Sequence, residues 1–287
     1  MSTDTAPPRP TETAESSGPP STTPLASWAS DVRTVTWRNL IKFRRNPEIL
    51  LFAVLQPIMF VLLFSQVYGG SIQIDGGNYT DYLMAGIFGQ TVLFGSTFSG
   101  YQMAQDLKEG MIDRFRTLPM HDSAVLFGRT NADLVLNGVS VVIMMLSGAL
   151  VGWRFHEGWL SFLGGVGILL LFSYAFSWVM ALLGIVVRTP EVINNASFMI
   201  LFPLTFISNA FVQSDNLPPV LETFANWNPI SALVQAAREL FGNTGAAPTP
   251  DTFPMQNPIL TTVAGSLLML AVFVPLAVNR FRQASSR

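Results

Sequence analysis

The sequence predicts an all-helical membrane protein with six transmembrane helices and both termini in the cytoplasm. Three observations predict it. Six apolar runs of 20 or more residues contain no Asp, Glu, Lys or Arg: Ile49–Tyr68, Tyr82–Gln105, Leu134–Trp153, Leu160–Val187, Val192–Val212 and Ile259–Val278. The basic residues between the runs fall on alternate sides, fourteen on one and only Arg154 and Arg238 on the other. Charged residues make up 12% of the chain, against about 25% in soluble domains. A hydrocarbon core of about 30 Å is crossed by about 20 helical residues. Runs this long exceed barrel strands, and a helix satisfies its own backbone in lipid. The Lys/Arg-rich side is the cytoplasmic one.

Residues 1–26 are rich in Pro, Ser and Thr and lack the apolar core of a signal peptide. They read as a disordered cytoplasmic tail. One membrane domain follows over 27–282, with a short tail at 283–287. Within it, residues 27–46 read as an interfacial helix on the inner leaflet, with Trp28 and Trp37 at headgroup level and Arg33, Arg38, Lys42, Arg44 and Arg45 facing anionic lipid. Asn46-Pro47 breaks this helix before the first span. Pro57 in the first span and Pro203 in the fifth each remove a helical hydrogen bond and predict kinks. They are read as packing features, as are the small-residue pairs Ser96/Gly100, Gly148/Gly152 and Ser161/Gly165.

Two segments outside the spans have helical periodicity. In the cytoplasmic loop Asp106–Arg129, Leu107, Met111, Phe115 and Leu118 form one stripe, and Pro119 ends it. The spacing fits a plain interfacial helix and a handle for a cytoplasmic partner equally well. In the outer segment Asn216–Gly242, Leu217, Val220, Leu221 and Phe224 form one stripe and Ile230, Leu233, Val234 and Ala237 another, parted by Asn228-Pro229. Each piece is too short to span. Both a hairpin dipping into the outer leaflet and an amphipathic surface loop fit. Arg129 and Asp133, four residues apart at the edge of the third span, read as a local ion pair.

Composition excludes several functions. Cys is absent and the two His, His121 and His156, fall on opposite sides, so no catalytic, cofactor-binding or metal-binding residues are assigned. There is no basic patch with interleaved aromatics, which argues against nucleic acid as a partner. The only lysines, Lys42 and Lys108, follow Ile41 and Leu107, so no G-x-x-x-x-G-K-[ST] phosphate loop exists. The chain is not expected to be an enzyme.

The stretches DLKEGMIDRFRTLPM, FPLTFISNAFV and NLPPVLETFANWNPISALVQAAREL, with six spans around them, resemble permease subunits of the ABC-2 exporter family, of the daunorubicin/doxorubicin-resistance type. The resemblance covers about residues 28–282. It implies a cytoplasmic coupling helix that docks on a separate ABC ATPase, with Asp106, Glu109, Gly110, Asp113, Arg114, Phe115, Arg116 and Pro119 as its residues. It implies an outer re-entrant hairpin marked by Pro218, Pro219, Trp227, Asn228 and Pro229. It further implies two ATPase copies that bind ATP and magnesium, a second permease bundle (identical or related), and residence in the bacterial plasma membrane. The expected activity is outward movement of a hydrophobic or amphiphilic drug or lipid. The rival readings are an ATP-independent secondary carrier, a membrane-embedded enzyme and a non-transporting anchor for a cytoplasmic complex. The substrate-binding residues are not assigned: sugar-exporting paths favour aromatic stacking surfaces, and the sequence does not locate one.

Overall fold

The computed structural model describes residues 24–45, 47–68, 78–110, 121–187, 189–245 and 249–285. They form α1 (Pro24–Arg45), α2 (Pro47–Tyr68), α3 (Tyr79–Lys108), α4 (Asp122–Val151), α5 (Trp159–Val187), α6 (Pro190–Phe206), α7 (Pro219–Trp227), α8 (Pro229–Phe241), the short α9 (Phe253–Gln256) and α10 (Pro258–Ser285). Among the described residues there is no strand. Among the described residues three helices are long and apolar enough to cross a membrane, over Ser123–Val151, Trp159–Val187 and Pro258–Gln283. The leading tail, apart from its last three residues in α1, lies outside the described residues.

The centre of the bundle is α3. Every residue from Tyr82 to Leu93 is buried; a helix apolar on all faces must be enclosed by others. It packs against α5, α4, α6, α2 and α8. Its seam with α5 is made by small residues. Ser96 Oγ lies 3.0 Å from Ser173 Oγ. A Cβ on Gly100 would stand 2.6 Å from the Met180 carbonyl oxygen, and one on Gly184 would collide with the Gly100 carbonyl. The backbones touch because no side chain intervenes, as small-residue pairs in membranes allow. Gly184→Val is therefore expected to destabilise the purified chain by about 1–3 kcal/mol, read as a lower melting midpoint in detergent. Gly167→Ala on the same helix, where an added Cβ meets nothing within 4 Å, is the control and should not lower it.

Three local features differ from the sequence reading. First, the fifth apolar run is not helical throughout: α6 carries Pro203 in its last turn and stops at Phe206, and residues 207–211 form turns. Proline offers no N–H to the carbonyl one turn back, so the last turn is poorly held. Second, α4 begins at Asp122 rather than near Leu134, which places Arg129 and Asp133 inside a helix, both buried. Third, Asp106, Leu107 and Lys108 belong to the last turn of α3 and do not start a separate element. Glu109 caps α3, and Gly110 turns the chain away at φ 65°, a left-handed conformation that glycine adopts without strain. The break expected at Asn46-Pro47 falls on Asn46, which lies outside the described residues; α1 is described to Arg45 and α2 from Pro47.

Candidate functional site

Polar contacts concentrate at the two ends of α3, about 45 Å apart for 30 helical residues. At one end lies the root of the loop between α3 and α4. Arg129 on α4 pairs with the Asp106 carboxylate on α3 and donates to Gln102 Oε1 at 2.5 Å. Both charged side chains are nearly inaccessible to solvent. Lys42 on α1 stands 3.8 Å from the same carboxylate. Burial pulls the Arg38 pKa down from the usual arginine range, and Asp106 acts against that shift. Asp133 is buried within electrostatic reach of Arg129. The sequence reading of a local Arg129–Asp133 pair is thus corrected: the guanidinium fork engages α3 across the seam, and Asp133 adds a second carboxylate.

The loop root is tied further by α1 and α6. Trp28 Nε1 donates to Ser123 Oγ at 3.1 Å, and Asp31 Oδ2 lies 3.4 Å from His121 Nδ1. Val32 and Val35 are buried, and Gly128 gives Val35 room: a Cβ there would stand 2.6 Å from Val35 Cβ. So α1 lays one face along α4 and leaves Arg33 and Trp37 exposed. On α6, Glu191 accepts from Lys108 at 3.2 Å. Its pKa is lowered first by its own backbone N–H and then by Lys108. Of the coupling residues, Asp106 is buried in the pair, while Glu109 is exposed and accepts from Gln105 at 2.5 Å. Gly110 marks the turn. Asp113, Arg114, Phe115, Arg116 and Pro119 lie outside the described residues.

At the opposite end, α7 and α8 meet at Asn228, and together they cap the end of α6. The Asn228 amide donates to the carbonyls of Leu204 (2.8 Å) and Ile207 (3.4 Å), while its Oδ1 accepts from Ile230 N at 2.9 Å. One side chain thus closes the C-terminus of α6 and the N-terminus of α8, satisfying groups that helix ends leave orphaned. Ser231 Oγ accepts from Asn209 N at 3.2 Å. Arg238, fully buried on α8, donates from Nη2 to Asn209 O (2.7 Å) and Ala210 O (3.2 Å) and from Nε to Tyr82 O (3.2 Å). Its Cζ sits 3.4 Å from the Tyr82 ring centroid. Burial pulls its pKa down, and Tyr82 opposes that. Gly86 on α3 admits the Ala210 carbonyl, which a Cβ would strike.

The two hairpin helices differ. On α8, Ile230, Leu233, Val234 and Ala237 are buried in the main core. On α7, Val220, Leu221, Phe224 and Trp227 are exposed. Pro218 and Pro219 start α7, and Pro229 is the first residue of α8; proline suits that position because its missing N–H would be unpaired there.

The sequence reading missed a row of phenylalanines beside this cap. Phe202 and Phe206 stack at 4.3 Å, Phe206 lies 4.9 Å from Phe211, and Phe64 lies 5.0 Å from Phe211. Phe198 approaches Phe94 at 5.3 Å. The rings come from four segments, so no single-helix periodicity shows them.

The described residues thus form an all-helical bundle with apolar helices, a polar loop root at one end of the central helix and a capped hairpin at the other, an arrangement that suits a membrane protein. The sequence profile of the ABC-2 type transporter family matches residues 30–242, a stretch that takes in both polar ends. The chain belongs to the ABC-2 type transporter family, whose members are permease subunits. It is 31% identical over 261 residues to the daunorubicin resistance ABC transporter permease protein DrrB1 of Streptomyces coeruleorubidus, covering 91% of this chain and 89% of that one. It is 22% identical to a probable doxorubicin resistance permease protein, DrrC, of Mycobacterium tuberculosis H37Rv, covering 88% of each. A putative transport permease, ycf38, of Cyanophora paradoxa is 23% identical over 82% of each chain.

Proposed function

We propose that the chain is the permease subunit of an ATP-driven exporter that moves a hydrophobic or amphiphilic drug or lipid outward across the bacterial plasma membrane. The observation that carries this reading is the similarity to drug-resistance permeases over nine-tenths of the chain. Six helices span the bilayer with both termini cytoplasmic, α1 lies at the inner surface, and α7–α8 is the outer re-entrant hairpin. A second bundle, identical or related, completes the path. Two copies of a separate ABC ATPase grip residues 109–119, past the buried Asp106, and supply the energy from ATP and magnesium, which bind on the ATPase and not on this chain.

Two features support the assignment of cargo and drive. The partly exposed rings of Phe198, Phe202 and Phe206 offer an apolar surface to a hydrophobic substrate. The buried charges Asp106, Arg129 and Asp133 cluster near the loop end of the bundle, whereas ion-coupled carriers hold their ion ligands near midplane.

Reversing charge in the loop tests the drive. Asp113→Arg with Arg114→Asp is expected to abolish ATP-dependent transport of a fluorescent probe, daunorubicin, in inverted vesicles. The ATPase should still hydrolyse ATP, and the permease should reach the membrane in normal amount. Normal transport together with normal stimulation of the ATPase would remove these two residues from the coupling contact. Daunorubicin movement without any ATPase present would favour a secondary carrier.

A further inference from the structure

We propose that α3 is a transmission rod, with the buried Asp106–Arg129 pair as positioning residues at its loop end and the Arg238 lock as the element it moves at its hairpin end. The inference rests on the ATP-driven reading above and names the residues through which that drive crosses the bundle.

The placement of polar contacts carries it. On α3, the polar contacts that reach the loop root and the capped end of α6 sit in its terminal turns. Asp106 and Gln102 meet α4, and Lys108 meets α6. Tyr79 and Tyr82 donate to the carbonyls of Phe211 (3.4 Å) and Asn209 (3.0 Å), and the Tyr82 carbonyl accepts from Arg238. Between these ends α3 is buried from Tyr82 to Leu93, and it lies backbone-to-backbone against α5 at Gly100 and Gly184. A close-packed interior transmits a displacement instead of absorbing it. The continuous helix has no proline or glycine turn to relieve it before Gly110.

The loop root explains why a charge pair is used. Asp106 precedes the loop by four residues, and Arg129 follows its end at His121 by eight. The pair closes the base of the loop, so a push on the loop is delivered to α3 and α4 together. Apolar side chains of similar volume would hold the two helices at least as firmly. A guanidinium fork adds directional bonds that fix the register of one helix against the other. At the far end, the register of α3 decides whether the Tyr82 carbonyl and ring meet Arg238, and Arg238 also holds the Asn209–Ala210 turn. A shift of α3 therefore reaches the segment that caps α6.

The absence of cysteine allows a clean test. Gln213→Cys places one thiol just beyond the capped turn, and its modification from outside by a cationic, membrane-impermeant methanethiosulfonate is timed in membranes holding the chain with its ATPase. ATP plus vanadate is expected to change that rate about fivefold or more. Adding Asp106→Asn is expected to reduce the nucleotide effect to below about twofold, with the nucleotide-free rate and co-purification of the ATPase retained. A merely structural role would alter the nucleotide-free rate or the amount of chain and leave the response in the surviving molecules. Should Asp106→Asn fail to accumulate, Asp106→Asn with Arg129→Gln, which removes both partners of the pair, takes its place with the same expectation. A full nucleotide response in either background overturns the inference alone. No response in the Gln213→Cys chain itself overturns the ATP-driven reading, and the inference with it.

Discussion

Arg129→Leu should be the most damaging single substitution at the loop end, costing about 3–5 kcal/mol. The guanidinium is 3% exposed and serves Asp106 directly, with Asp133 buried nearby. Removing it leaves Asp133 without its counter-charge in a site that water does not reach, and leaves Asp106 with the weaker fields of Arg38 and Lys42. Lys42 is too far for a hydrogen bond, at 3.8 Å, and half exposed, so it cannot take over. Asp106→Asn should cost less, because Arg129 then keeps Asp133 as an electrostatic partner. The measurement is the melting midpoint of the purified chain in detergent, with abundance in membranes as a second readout. Asp106→Asn and Asp133→Asn added to Arg129→Leu should recover most of the loss, a strongly non-additive outcome for neighbouring sites. Additive effects would mean that the three groups do not form one electrostatic unit. High salt should leave the Arg129 contribution unchanged, since buried pairs are weakly screened. The exposed Lys108–Glu191 pair should be salt-sensitive and small.

The helical class, the positions of the long apolar helices and the break at Asn228-Pro229 are readable in the residues, because charge-free length and proline punctuation are local signals. The ends of helices are less so. Nothing in the charge-free run Val192–Val212 shows that its helix stops at Phe206, since the cap that makes the early stop tolerable is supplied by Asn228 and Arg238, more than twenty residues later. The run near Leu134 begins where charge ends, yet the helix starts at Asp122. Arg129 and Asp133 are accommodated inside it by a partner on another helix. A rule that reads charge as the edge of a span fails where the charge is buried against a countercharge.

The site was legible in the same uneven way. Asp106 stood among the expected coupling residues as part of a handle, but a single sequence gives no reason to pair it with Arg129 rather than to leave it in water. Arg238 was counted only as one of two basic residues on the outer side. Its signal was present in a weak form: an Arg placed one residue after Ala237, on the side of the apolar stripe Ile230, Leu233, Val234 and Ala237, is either at a surface or holding several acceptors at once. The small-residue pair Ser96/Gly100 was readable as packing, and it does form the α3–α5 seam. The phenylalanine row required coordinates, because stacking across four segments has no period.

Replacing Arg238 should reverse the usual ranking of conservative changes. Arg238→Met removes donors from the Tyr82 and Ala210 carbonyls, whereas Asn209 O keeps the Tyr82 hydroxyl at 3.0 Å. Ala210 O loses its donor, at about 1–3 kcal/mol, whereas Tyr82 O, inside α3, keeps the helical N–H of Gly86. Part of that is offset, because no carboxylate among the described residues pairs with this cation and its own desolvation is relieved. The net expected loss is about 1–3 kcal/mol. Arg238→Lys retains the charge but not the fork. One ammonium cannot reach Tyr82 O, Asn209 O and Ala210 O together, and it loses the flat contact with the Tyr82 ring. It therefore leaves a buried, poorly solvated charge that cannot replace the converging bonds of the fork. The melting midpoints in detergent should fall in the order Arg, Met, Lys. A lysine variant as stable as the unaltered chain would show that charge alone, and not the geometry of three converging carbonyls, holds the end of α6 beneath the hairpin.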